Sequence, residues 1–402
     1  MALLDLEARS PFGLQNLPYG IVSTTSRPRF AAARIGDRVL DLAGLSTELR
    51  SEMQAVLAGR TLNGLLAAGP VVWRRLRAQV QDWLSDPRYE RPAARHLVAL
   101  AEVSNHLPIE VADYVDFYSS LHHATNVGRL FRPDADPLPA SWRSLPIGYH
   151  GRAGTVVASG TPIFRPSGQV RLSQQSEPVL TPCRKLDIEA EVGFVVGVPS
   201  ALGSRVAIDQ FEAHVFGVCL VNDWSARDIQ SFEYVPLGPF LGKSFATSIS
   251  SWIVSLEALE EAKVPPPKHH PAPLSYLSSE LDHGYRIDLE VLINGTVVSR
   301  PPFSSMYWTP AQQLAHMTVN GASLRTGDLF ASGTVSGPEP SQVGSLLELS
   351  RNGSTPVALD DGGSRTFLED GDSVVIRGVA PGREGVPIGL GEVSGSILPA
   401  RS

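Results

Sequence analysis

Apolar residues in this chain fall into short alternating or continuous runs more often than into helical periods. His214 to Val221 (HVFGVCLV) is almost unbroken hydrophobe, the pattern of a strand covered on both faces. Asp187 to Val196 alternates. As a strand it sets Ile188, Ala190, Val192, Phe194 and Val196 on one face and Asp187, Glu189 and Glu191 on the other. Asp113 to Tyr118 alternates too, and Ser119-Ser120 then offers a helix cap for the segment beginning Leu121-His122-His123. Hairpins are predicted about Gly36-Asp37 and Asn294-Gly295, and a third is expected to start at Asp370-Gly371 and run into Val374–Ile376. Gly327 to Thr334 reads as a strand ending in glycine, where backbone can approach a ligand closely. Leu346 to Leu349 reads as an apolar strand carrying Glu348. One clear helix opens at Pro70, repeats Trp73, Leu76, Val80 and Trp83, and ends at Pro87. Residues 88–108 are loosely patterned and read as a connection, and residues 262–274 form a Pro-rich loop with His269 and His270 facing solvent. No internal repeat is evident. The pattern predicts a β-rich α+β chain. An N-terminal domain of strands and helices spans residues 1–108, and a β-rich domain spans 109–402.

The densest chemistry lies between Asn222 and Thr247 (NDWSARDIQSFEYVPLGPFLGKSFAT), directly after the buried run. If a helical turn follows the strand, Asp223, Arg227, Gln230 and Tyr234 share one face. Pro236, Gly238 and Pro239 then break the helix, and Lys243 arrives from a loop. Gly242-Lys243-Ser244 resembles the end of a phosphate-binding loop, but the glycine that motif needs at position 237 is Leu237. Three carboxylates on one face of the Asp187–Val196 strand repel one another. Either that face is solvated or a cation with oxygen ligands holds it. Adjacent His122 and His123 point in different directions on a helix, so only one can face a given site. Glu348, among leucines, needs a partner.

Composition narrows the function classes. Over 402 residues the chain is 43% hydrophobic and 19% charged, with a formal net charge of -7. That excess of acid disfavours nucleic acid and anionic membrane as partners. Two cysteines, Cys183 and Cys219, give no metal spacing and no disulfide framework. The opening MALLDLEARSPFG has acids and no basic n-region, so no signal peptide is expected, and with a reducing compartment this places the chain in the cytoplasm. Asn294-Gly295-Thr296 matches a glycosylation sequon and is read as a hairpin turn.

Several blocks together resemble the fumarylacetoacetate hydrolase family: DYVDFYSSLHHATNVGRLFR, SLPIGYHGRAG, LDIEAEVGF, NDWSARDIQSFEYVPLGPFLGKSFATSIS, MYWTPAQQLAHMTVNGASLRTGDLFASGTVSG and GSLLEL. The resemblance covers residues 113–402 closely and the N-terminal part more loosely. It implies a small N-terminal SH3-like barrel followed by the family's mixed β-roll, a homodimer, and a divalent cation, Ca2+ or Mg2+. By the same resemblance the metal ligands are Asp116, Glu189, Glu191 and Asp223. A second cation lies near Asp223, Lys243 and Thr247, with Lys243 contributing its backbone carbonyl. The general base is His123, oriented by Glu348, and Arg227, Gln230 and Lys243 serve as oxyanion donors. Substrate contacts fall on Tyr118, Arg132, Tyr149, Arg227, Gln230, Tyr234, Lys243 and Thr334. The implied reaction splits the carbon–carbon bond of the β-diketone 4-fumarylacetoacetate into fumarate and acetoacetate, the final step of tyrosine and phenylalanine catabolism. Related acylpyruvate or diketo-acid hydrolases, and a non-catalytic metal-dependent binding protein, are the competing readings.

Overall fold

A computed structural model describes residues 9–171 and 177–401. The reading of the N-terminus as lacking a signal peptide falls largely on residues 1–8, outside the described residues. A 13-stranded mixed sheet runs through the molecule, with a five-stranded sheet packed against it. At its centre lie the antiparallel strands Ala190–Val196 and Val215–Asp223. Both are buried along their whole length. Val192, Phe194, Val218 and Leu220 enter one core, while Val195, Phe216, Cys219 and Val221 enter a second on the opposite face. That is why the sequence reads as continuous hydrophobe there. Leu329–Ala331 pairs with Ala190–Val196 and runs parallel to Tyr114–Phe117, so four strand ends meet at one place.

The N-terminal strands follow the predicted hairpin. Phe30–Ile35 and Arg38–Asp41 pair across Gly36-Asp37, and the helix Pro70–Ser85 buries Trp73, Leu76, Val80 and Trp83. Residues 88–108 are more than a connection. They form the helix Glu90–His96 and the strands Leu97–Ala99 and Ser104–His106, which pair with Arg38–Asp41 and Tyr19–Ser23. These short, half-exposed strands carry too little apolar alternation to be seen in sequence. Among the described residues this unit does not close into a barrel, and Tyr19–Gly20 pairs with Trp252–Ile253, so it continues the large sheet.

Other elements depart from the pattern for local reasons. Glu348 lies on a one-turn helix, Leu346–Leu349, capped by Ser345, and not on a strand. Asp370-Gly371 makes a turn, but Ser373–Ala380 pairs with Asp288–Ile293 and Ile388–Leu398, not with a hairpin partner before it. The Asn294-Gly295 hairpin is as expected, both residues adopting positive φ (49° and 83°). His270 is exposed, whereas His269 stacks on Trp308 and bonds the Tyr307 carbonyl at 2.9 Å. No described helix is long and apolar enough to cross a membrane.

Candidate active site

The site forms where the central strands end. Asp116 comes from Tyr114–Phe117, Glu191 from Ala190–Val196, Asp223 from the last position of Val215–Asp223, and Glu189 from just before its strand. The expected continuous strand breaks at Ile188-Glu189. Asp187 belongs to a separate two-residue strand, Leu186–Asp187, paired with Ser225–Ala226. Asp116, Glu189 and Asp223 each offer an oxygen within 4.8 Å of the others, and all are buried. The solvated alternative for this face is therefore excluded.

Burial dominates the electrostatics. It pushes the Asp116 and Glu191 carboxyls well above the usual carboxylate range, reinforced mainly by Asp223 for Asp116 and by Asp116 for Glu191. Asp116 Oδ1 and both Glu191 oxygens have no hydrogen-bond partner among the described residues. Glu189 is buried as well, but the Lys243 and Arg227 charges outweigh that and hold it well below the ordinary value. Lys243 Nζ donates to Asp223 Oδ2 at 2.7 Å and to Glu189 Oε2. Arg227 Nη2 lies 2.8 Å from Glu189 Oε1. Thr247 Oγ1 and Tyr149 Oη donate to the two Asp223 oxygens, each at 2.7 Å. Glu189 and Asp223 thus meet two cationic side chains, one of them shared with Asp187, while Glu191 lies outside the three acids whose oxygens converge. Buried acids with unpartnered oxygens and only oxygen donors fit a hard divalent cation.

Beside the cluster stands His123. Its Nδ1 is 2.7 Å from Glu348 Oε2. Ser120 caps the helix Leu121–Phe131 by accepting the His123 N–H, which fixes the ring on the buried side, while His122 is only half-buried. Tyr118 packs edge-on against the His123 ring, centroids 5.4 Å apart. Glu348 also accepts from Asn126 Nδ2 (2.9 Å), Ser345 Oγ (2.8 Å) and Ser336 Oγ (3.0 Å). Burial would raise its pKa, but the His123 charge and these donors hold it below the ordinary range.

The remaining expected residues divide. Thr334 is buried with its hydroxyl unpartnered among the described residues, next to Gly333 (φ +78°), where a Cβ would strike the Phe117 backbone. Gln230 Oε1 accepts from Arg227 Nη1 at 3.2 Å. The helix begins only at Arg227, so Asp223 shares no helical face with Arg227, Gln230 and Tyr234. Tyr234 and Arg132 are exposed, and Arg132 Nη2 bonds the Pro137 carbonyl at 2.6 Å. Lys243 meets the cluster through its ammonium. A cavity of about 290 Å³ opens onto Asp223, Lys243 and Thr247, walled by Tyr149 and Phe240. Asn126, Ser336 and Ser345 escaped sequence reasoning. The S-x-x-E spacing of Ser345 and Glu348 was the available signal for the last of these.

Two family models match: "Fumarylacetoacetate (FAA) hydrolase C-terminal" over residues 113–397 and "Fumarylacetoacetase N-terminal" over residues 15–108. The chain belongs to the fumarylacetoacetate hydrolase family. Fumarylacetoacetase from Homo sapiens is 45% identical, covering 100% of this chain and 99% of that protein. The Rattus norvegicus protein of that name is 44% identical over 100% of both chains, and the Arabidopsis thaliana one is 44% identical over 99% and 98%. Solved members of similar fold include a fumarylacetoacetate hydrolase from psychrophilic Exiguobacterium antarcticum (TM-score 0.56, 14% identity, 96% of this chain and 100% of that one). Another is maleylpyruvate hydrolase from Sphingobium sp. SYK-6 in complex with manganese(II) and pyruvate (TM-score 0.53, 14% identity, 96% and 100%). The family is one of hydrolases with a sheet-rich α+β fold, and the buried acids described above lie within the part matched by its C-terminal model.

Proposed function

We propose that this chain hydrolyses the carbon–carbon bond of 4-fumarylacetoacetate, giving fumarate and acetoacetate, the final step of tyrosine and phenylalanine catabolism. The observation that carries the reading is the His123 Nδ1–Glu348 contact of 2.7 Å beside a buried all-carboxylate cluster. Relatives named fumarylacetoacetase match the chain over its full length.

Glu348, held as an anion by four donors, accepts a hydrogen bond from His123 Nδ1–H and leaves the Nε2 lone pair free to take a proton from water. The water oxygen then bonds to the carbonyl carbon, the bond to the neighbouring carbon breaks, and that carbon takes a proton. Arg227, Gln230 and Lys243 supply N–H donors for the oxyanion, each such donor being worth about 3–4 kcal/mol. Tyr118, Arg132, Tyr149 and Tyr234 bind the substrate's carboxylate and carbonyl groups, and the unpartnered Thr334 hydroxyl gains its partner there. Asp116, Glu189, Glu191 and Asp223 would hold the cation, Ca2+ or Mg2+, which when bound supplies Lewis acidity for the diketone oxygens. A second cation would lie near Asp223, Lys243 and Thr247.

The same reading makes the protein a cytoplasmic homodimer with domains over 1–108 and 109–402. The antiparallel order of the N-terminal strands, Ser104–His106 beside Tyr19–Ser23, then Phe30–Ile35, Arg38–Asp41 and Leu97–Ala99, supports an SH3-like unit. A second reading, an acylpyruvate or related diketo-acid hydrolase, draws on the fold shared with maleylpyruvate hydrolase. The test is to follow fumarate and acetoacetate release by purified protein with divalent cation. Equal release of both supports the reading. Cleavage of acylpyruvates with fumarylacetoacetate untouched favours the second, and cleavage of neither overturns both.

A further inference from the structure

The mechanism above gives no task to Asp187, yet it accepts from four donors, as many as Glu348, and has no exposure. Its Oδ1 accepts the backbone N–H groups of Ile188 and Leu346, each at 2.7 Å. Its Oδ2 accepts Arg227 Nε at 2.8 Å and the Leu347 N–H at 3.1 Å. Leu346 and Leu347 open the one-turn helix that carries Glu348, and Ser345 Oγ takes the next N–H, that of Glu348 itself. On its other side Arg227 reaches Glu189. One carboxylate therefore grips both the turn that aims Glu348 at His123 and the guanidinium that leans on a cluster acid.

We propose that Asp187 is a positioning residue that couples the His123–Glu348 dyad to the carboxylate cluster. The inference rests on the functional reading above for its consequence in turnover, but its physical content is independent of substrate. Asp187 offsets the Arg227 charge, so that Arg227 orients Glu189 without neutralising it. Without that anion, Arg227 turns its full charge on Glu189 and the cluster attracts a divalent cation less strongly. The same loss weakens the hold on two helix N–H groups, one on each carboxylate oxygen, and loosens the turn bearing Glu348. A residue that merely fills core would do neither.

Three measurements on the full chain test this. In chelator-treated Asp187→Asn, calorimetric titration with Mn2+ should show affinity reduced about 3- to 30-fold, and kcat should fall at least tenfold with KM changed less than threefold. Asp187→Glu keeps the charge but displaces it, so cation affinity should stay within about threefold while kcat still falls. In the wild-type protein, which carries no folding risk, Mn2+ should slow hydrogen exchange in the peptide spanning Leu346–Leu349, although none of those residues belongs to the cluster. Coupling of this kind is reciprocal. Wild-type cation affinity and kcat in Asp187→Asn would overturn the proposal. So would exchange over 346–349 that is indifferent to Mn2+, or a wild-type protein that takes up no Mn2+. A protein that shows the coupling but does not cleave fumarylacetoacetate would instead remove the functional reading alone.

Discussion

Two buried acidic regions sit side by side here and are stabilised by opposite means. Glu348 is one carboxylate with four hydrogen-bond donors, and its pKa is held down. Asp116 and Glu191 are neighbouring carboxylates with three oxygens unpartnered among the described residues, and their pKa values are pushed up. Burial acts on both regions alike. What differs is whether the fold itself supplies the positive charge and the N–H and O–H groups. Where it does, the acid serves as a fixed anion for its histidine. Where it does not, the charge has to come from outside the chain, which is what a divalent ion provides.

The largest expected effect breaks the first region only. His123→Ala should lose about 10²–10⁴-fold or more in turnover, because it removes the imidazole proposed as general base. Its Mn2+ affinity by calorimetry should remain near wild type, since His123 belongs to the dyad and not to the oxygen cluster. Turnover near wild type would move the base elsewhere, His122 first.

Glu348→Gln keeps the volume and one acceptor but points an amide NH2 at groups that are themselves donors. An unmet buried donor costs about 1–3 kcal/mol. Turnover should drop on the order of 10- to 1000-fold with little change in KM. The stability effect has a definite pH sign. A depressed carboxyl pKa gives stabilisation that is full above the unfolded value near 4.5 and is lost as pH falls through the folded value. The melting-temperature gap between wild type and variant should therefore be widest at neutral pH and shrink below about pH 4. A gap that widens on acidification would contradict the hydrogen-bond assignment.

The second region should respond to metal in the opposite sense. In chelator, Glu191→Gln removes a like charge from a crowded pair and should stabilise the protein by about 1–2 kcal/mol. In divalent cation the same variant should be less stable than wild type, because the ligand proposed at Glu191 is gone. Thermal melts with and without chelator check the crossing. Variants that are destabilised equally in both conditions would mean the acids serve the fold and not an ion.

How far each region could be read from sequence follows from the same difference. The alternation of Asp187, Glu189 and Glu191 against Ile188, Ala190 and Val192 announces crowded carboxylates, and the apolar run before Asp223 announces a buried strand end. Resemblance then joined Asp116 to them, a residue whose contribution depends on a parallel pairing that no local pattern encodes. The dyad was harder. His123 and Glu348 are 225 positions apart, and four apolar-rich residues read as strand because a single turn is too short to show helical period. Asp187 was misplaced because a period-2 count cannot see the break at Ile188-Glu189. The strands of residues 97–106 were missed because they are short and half-exposed.

The smallest effect calibrates the comparison with an acid far from both regions. Asp282 is buried and takes one side-chain donor, Thr309 Oγ1 at 2.7 Å. Burial raises its pKa to about 6, only partly offset by Thr309 and by His283. It thus lies between Glu348, with four donors, and Glu191, with none. The sign is the reverse of that for Glu348. A folded pKa above the unfolded value near 3.8 means the native state binds the extra proton, so stability falls as pH rises between about 4 and 6 and stays lower above that window. Asp282→Asn keeps an acceptor for Thr309 and removes the charge. At pH 7.5 it should stabilise the protein by about 1 kcal/mol, less than the raised pKa alone would give, because solvent screens part of the charge. Below pH 4 the wild-type acid is already neutral, and the two proteins should melt together. A variant less stable than wild type at pH 7.5 would show that a buried acid with one donor is already adequately partnered here, and the contrast between the dyad and the cluster would have to rest on charge crowding rather than on the count of donors.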